Sequence, residues 1–174
     1  GLIWLLKSAI IPDAQWEEPV SIMGAITVAI MMIGYWLSDF ITIAGRVVIP
    51  PSVAAFAISL YALGVTTMMA SDTQKHFVLK IKKGLIADGW FETCRNTNFL
   101  GEIMVYASFC ICANHYMPWL FCIFIWTVYF GGRFYSKEKS FARKKGGLEY
   151  IEGTSLILPV SLPFLPTWFT IFFV

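Results

Sequence analysis

The stretch IMVYASFCICANHYMPWLFCIFIWTVYFGG, Ile103–Gly132, carries no charged residue and is too long for a single membrane span. A spanning helix needs about 20 mostly apolar residues, because the hydrocarbon core is roughly 30 Å thick and a helix rises about 1.5 Å per residue. In the middle of this stretch, Asn114-His115-Tyr116-Met117-Pro118 reads as a tight turn. Two helices then fit, Asn98–Asn114 and Pro118–Tyr135, each taking its outer turn from the polar flank. The segment is read as a membrane hairpin.

Working outward, Val47–Ser71 is also free of charge, and Pro50-Pro51 predicts a helix beginning near Ser52, where proline at the first turn loses no hydrogen bond. Val20–Ser38 supplies one more span, closed by Asp39. The last charge-free stretch, Ser155–Val174, holds Pro159, Pro163 and Pro166, so only Pro166–Val174 can be helical, too short to span. The fold class is all-α: a polytopic helical membrane protein with about four transmembrane helices and two same-side polar loops. Three parts follow: an N-terminal amphipathic, interfacial segment at 1–19, a transmembrane core at 20–154, and a Pro- and Phe-rich C-terminal tail at 155–174. No n-region, h-region and cleavage site can be recognised in 1–19, so either a targeting peptide has been removed or the sequence is part of a longer chain.

Composition agrees. Of 174 residues, 57% are apolar, 17% aromatic and 14% charged, with a mean hydropathy of +0.68. Soluble domains are about a quarter charged. Fifteen Phe, seven Trp and seven Tyr fit a chain whose solvent is largely lipid. A net charge of +2 gives no footing for a nucleic-acid partner. All of the 13 Lys and Arg except Lys7 and Arg46 fall in two segments, Asp72–Arg95 and Arg133–Glu152, on one side of the hairpin. The positive-inside tendency puts that side toward the cytoplasm or its organellar equivalent, in an endoplasmic reticulum or organellar membrane such as the mitochondrial inner membrane. Anchoring to membrane lipids explains the lysines but not the interleaved acids, aromatics and glycines.

Metal chemistry finds no support. Cys110 and Cys112 stand about 200° apart around a helix, there is no CxxC, and His76 and His115 fall at opposite mouths of the hairpin. Nor is there a glycine-rich nucleotide loop. The informative block is Arg95-Asn96-Thr97-Asn98-Phe99-Leu100-Gly101-Glu102 at the head of the third span. Orphan N–H groups and the positive helix end suit an anion there, and Arg95 can form a bidentate contact with a phosphate. Glu102 then accepts from ribose hydroxyls or holds Arg95. The plainer alternative is a capped helix, with Asn98 as N-cap and Arg95–Glu102 as an interfacial ion pair. A second segment, Arg133–Lys139 running on to Gly146-Gly147-Leu148-Glu149-Tyr150, leaves the fourth helix on the same face and can close over the first, with Glu138 and Tyr150 completing a polar pocket.

Taken in order, these residues resemble the steroid 5-alpha-reductase-like superfamily, which includes sterol reductases and isoprenylcysteine methyltransferases, and above all its reductase-like branch. The resemblance is carried by Asp72, Gln74 and Lys75, then Gly84, Leu85, Asp88, Gly89 and Phe91, then the Arg95–Glu102 block. It continues through Glu138, Gly147, Tyr150, Thr154 and Pro159, with Tyr35-Trp36 as an earlier match. The resemblance implies a helical membrane core whose same-side loops hold NADPH, or S-adenosylmethionine in the methyltransferase branch, and a lipid-like substrate entering from the bilayer. By the same resemblance Arg95, Asn96, Asn98, Gly101, Glu102, Glu138 and Tyr150 would contact the cofactor. Two positions depart from the family pattern: Thr97 replaces a proline and Phe99 a tyrosine. The second change removes a hydroxyl, a bond worth roughly 1.5–3 kcal/mol to a charged partner.

Two functions are therefore expected. One is a membrane-embedded, NADPH-dependent oxidoreductase acting on a sterol- or lipid-like double bond, its proton donor open between such residues as Asp39 and Tyr61. The other is a catalytically inactive, reductase-derived accessory subunit of a larger membrane complex without cofactor, whose Phe164, Trp168, Phe169, Phe172 and Phe173 meet other membrane subunits. A transporter is disfavoured, because no charge lies mid-span.

Overall fold

The computed structural model describes residues 2–12 and 19–158. The Pro166–Val174 helix and the aromatic arm expected around it lie outside the described residues. Every regular element described is helical: α1 (Leu2–Ile10), α2 (Ile22–Tyr35), α3 (Leu37–Ala44), α4 (Pro51–Ile81), α5 (Thr97–Ala113), α6 (Tyr116–Ile125), α7 (Gly131–Ala142) and α8 (Gly147–Gly153). A 3-10 turn occupies Gly89–Phe91, and a π turn, Trp126–Phe130, joins α6 to α7.

Three helical runs are long and apolar enough to cross a membrane: Ile22–Ala44, Pro51–Ile81 and Tyr116–Ala142. The shorter apolar α5 packs among them, against α3, α4 and α6. Its 17 residues rise about 26 Å. Lipid-facing side chains such as Ile22, Ile43 and Ile58 stay exposed, as helices in apolar solvent allow.

Asp39 does not close the first span. The helix bends at Trp36 and resumes as α3, with Asp39 in its first turn, where the positive helix end favours a carboxylate. The hairpin turn falls at Asn114, in the left-handed conformation at φ 45°, and at His115, whose Nδ1 accepts from Met117 N at 3.1 Å. The fourth span runs beyond Tyr135 to Ala142, because Phe134, Lys137, Glu138 and Phe141 form one stripe down α7 that all find partners.

The tightest contact is between α4 and α5. A Cβ on Gly101 would lie 2.6 Å from the carbonyl oxygen of Gly64, and one on Gly64 would lie 2.8 Å from that of Gly101. Small residues let the two backbones touch, the usual route to close helix packing in lipid. A second core, of Phe99, Phe130 and Phe134 with Trp126, Leu156 and Ile157 against it, fastens the head of α5 to α7. The π turn sets the register that brings Phe130 and Phe134 onto Phe99, at ring-centroid distances of 4.5 and 5.3 Å.

Candidate functional site

The two polar segments meet on one side of the bundle. Gln74, on the polar extension of α4, clamps the first: its Nε2 donates to Asp88 O and its Oε1 accepts from Trp90 N, both at 2.9 Å. Gly89 makes this possible. Its φ of +59° and its closeness to the Gln74 amide leave no room for a side chain.

The chain then forms a short clip with residues just beyond α8. Ser155 N donates to Thr93 O at 3.0 Å, and Arg95 N donates to Ser155 O at 3.0 Å. The Cys94 thiol donates to Ile157 O at 2.9 Å, and burial pushes that thiol's pKa up. Asn96 Nδ2 donates to Leu156 O at 3.1 Å. Residues read from sequence as the start of the tail thus form one wall of the site.

Arg95 sits inside this clip, 5% exposed. Its Nε donates to Glu138 Oε1 at 2.9 Å, and Nη1 donates to Ile151 O at 2.7 Å and to both oxygens of Thr154. The expected Arg95–Glu102 pair is replaced by Arg95–Glu138, across 43 residues of sequence. Tyr150 also supports the clip: its hydroxyl donates to Phe91 O at 2.8 Å, and burial raises its pKa to about 12.

Thr97, where the family has proline, begins α5, and its Oγ1 lies 2.5 Å from Trp90 O and 2.8 Å from Cys94 O. A side-chain anchor stands in for the fixed φ of proline. Asn98 does not cap the helix. The cap residue is Asn96, which makes no side-chain cap bond because its amide already binds Leu156 and Lys137.

Lys137 is the group that the sequence reading passed over. Its ammonium donates to Asn96 Oδ1 at 3.0 Å and Asn98 Oδ1 at 3.3 Å, and sits 4.3 Å above the centroid of the Phe99 ring. Phenylalanine at 99 thus offers a π face to a cation. Lys137 makes no ion pair with any described residue. Glu102, one turn into α5 and half-buried, likewise has neither hydrogen bond nor ion pair among the described residues. Gly101, next to Glu102 in sequence, is packed against Gly64 and Met68 of α4.

Deeper in the bundle, Tyr106 follows Glu102 by one helical turn, on the same face. Its ring stacks on Tyr35 of α2, with centroids 3.7 Å apart and planes at 11°, and Phe121 meets Tyr35 edge-on. Glu102 is near enough to act electrostatically on both phenols. In the Phe99, Phe130 and Phe134 core, Trp126 Nε1 is a buried donor with no acceptor among the described residues.

The fold and the site define a helical integral membrane protein with a polar mouth above a tyrosine-bearing apolar interior. The family pattern of 3-oxo-5-alpha-steroid 4-dehydrogenase matches residues 20–159, most of the chain, and the protein belongs to that family. No curated protein and no solved structure matches it.

Proposed function

We propose that this protein is an NADPH-dependent reductase of an activated C=C bond in a sterol- or lipid-like molecule. The observation that carries the reading is the pair Lys137 and Glu102, which act on each other electrostatically without a contact ion pair and stand beside the polar segments, one helical turn before Tyr106 and its stacked partner Tyr35. A half-buried ammonium held only by neutral amides and a ring face is suited to an anion, and an unpaired carboxylate is suited to hydroxyl donors. These residues fit a phosphorylated, ribose-bearing cofactor.

Bound there, NADPH supplies a hydride. The chain's own residues do the rest. Lys137 holds negative charge, oriented by Asn96 and Asn98. Glu102 accepts hydroxyls. The Arg95–Glu138 clip fixes the pocket wall. Tyr106 or Tyr35, neutral phenols in an apolar interior, can donate a hydrogen bond to a carbonyl conjugated with the double bond and deliver the proton that completes reduction.

The accessory-subunit reading draws on one observation, that Nε and Nη1 of Arg95 are engaged within the chain. Thermal denaturation in mild detergent with NADPH, NADP⁺ or S-adenosylmethionine separates the two. Stabilisation by NADPH is expected, about 2.7 kcal/mol at 100 times its Kd. Well-folded protein that responds to none of the three would leave the accessory reading standing.

A further inference from the structure

We propose that the cleft between α1 and the polar extension of α4 is a binding site for the phosphate headgroup of an anionic phospholipid. The cleft holds about 320 Å³ and is lined by Lys7, Ile11, Asp72, Lys75, His76 and Lys80. It adjoins the Lys137 and Glu102 pair, on which Lys75, Asp72 and Lys7 act electrostatically, but the proposal does not rest on the reductase reading.

Charge is the first argument. Lys7 pairs with Asp72, so the single carboxylate in the lining is already neutralised. Lys75 and Lys80 make no hydrogen bond or ion pair with any described residue. Two ammonium groups on one helix therefore line a concave space without a contact ion pair of their own. A phosphate monoester brings up to two negative charges and acceptor oxygens to match.

Position is the second. The charge-free run of α4 ends at Ser71, and Lys75 follows four residues later, about 6 Å further along the axis. The polar headgroup layer of a leaflet is about 5–8 Å deep. Lys75 thus sits at headgroup depth, with Lys80, about 14 Å beyond Ser71, on its aqueous side.

The third argument distinguishes a lipid from a free or nucleotide phosphate. One wall of the cleft is apolar, made by Ile11 and Leu79. Alongside it α1 leaves Leu5, Leu6 and Ile10 exposed, 70%, 54% and 55% respectively, while Lys7 turns inward to Asp72. Helices that expose one apolar side beside a basic one lie in the membrane interface. Acyl chains can run along Leu5, Leu6 and Ile10 while the phosphate enters between the lysines. A soluble phosphate has no use for that surface.

The test uses the full chain, stripped of lipid in mild detergent and titrated with phosphatidic acid or phosphatidylcholine, with bound lipid counted by native mass spectrometry. Phosphatidic acid should bind at least tenfold more tightly than phosphatidylcholine. The double variant Lys75→Ala/Lys80→Ala, at two exposed positions, should lose most of that preference. Lys139→Ala/Lys145→Ala, an equal charge change elsewhere on the basic side, should keep it within about twofold. Inorganic phosphate in excess should compete, and NADPH at the same phosphate concentration should compete no better. Equal loss in the two double variants would overturn the proposal in favour of diffuse electrostatics, as would equal binding of the two lipids. Displacement by NADPH far beyond that by phosphate would overturn it by assigning the cleft to the nucleotide.

Discussion

Two cations stand beside the head of α5 and are treated in opposite ways. Arg95 is enclosed, its Nε and Nη1 shared between Glu138, the Ile151 carbonyl and Thr154. Lys137 is held by two neutral side-chain oxygens and a phenyl face, with Glu102 and Asp72 acting on it electrostatically but no contact ion pair among the described residues. A buried charge with its partners inside the chain is a structural fastener. A partly buried charge without a contact ion pair is a place for something else. Arg95 is thus a fastener through Nε and Nη1, and on the proposed function the anion-binding role falls to Lys137 on α7.

The comparison is broken most forcefully at Arg95. Arg95→Ala leaves Glu138 and two carbonyls without a donor, and removing one partner of a buried ion pair costs roughly 3–5 kcal/mol. The expected outcome is a large drop in melting temperature, read by thermal denaturation in detergent, with or without ligand. Gly101→Ala tests whether this glycine serves the α4–α5 contact. A new Cβ 2.6 Å from the Gly64 oxygen forces the helices apart at a cost of about 1–3 kcal/mol, and NADPH affinity of the folded fraction should be nearly unchanged. Tyr150→Phe removes one donor from a buried carbonyl, for about 1 kcal/mol. Tyr150 also has a pH signature. Its pKa is raised from the ordinary 10 to about 12, so its contribution is complete below pH 10 and fades as pH climbs toward 12. That late alkaline loss should vanish in Tyr150→Phe when melting is followed against pH. Lys137→Ala has the smallest effect on stability, within about 1 kcal/mol, because removing an ammonium with no contact ion pair also removes its desolvation cost. Its effect on anion binding should be at least tenfold.

Much of the fold could be read from the chain because lipid imposes long charge-free runs, and those runs located the three candidate spans found among the described residues. Their ends were less legible. Nothing in Gly34-Tyr35-Trp36-Leu37 announces a bend, and α4 and α7 extend well past their apolar portions because Gln74, Lys137, Glu138 and Phe141 find tertiary partners there. The site was legible as a set of residues but not as a set of contacts. Arg95 and Glu138 were both picked out, yet their pairing depends on the crossing of two segments that no local spacing encodes. The clip of Cys94, Arg95 and Asn96 on residues 155–157 works through backbone carbonyls, which carry no signature in side-chain identity. Lys137 lay hidden among six basic residues of one segment. Only the π turn, itself unannounced, sets it beside Asn96 and Asn98 rather than in solvent. Cys110 and Cys122, 12 residues apart, likewise meet at 3.5 Å between sulfurs solely because α5 and α6 pack as a hairpin.

The most direct test is NADPH-dependent thermal stabilisation measured side by side for the unmodified protein and Lys137→Ala. The account predicts that both fold with similar melting temperatures, that NADPH raises the first by an amount equivalent to about 2.7 kcal/mol at 100 times its Kd, and that the second gains little at the same concentration. An equal NADPH shift in both proteins, or none in either, would contradict it.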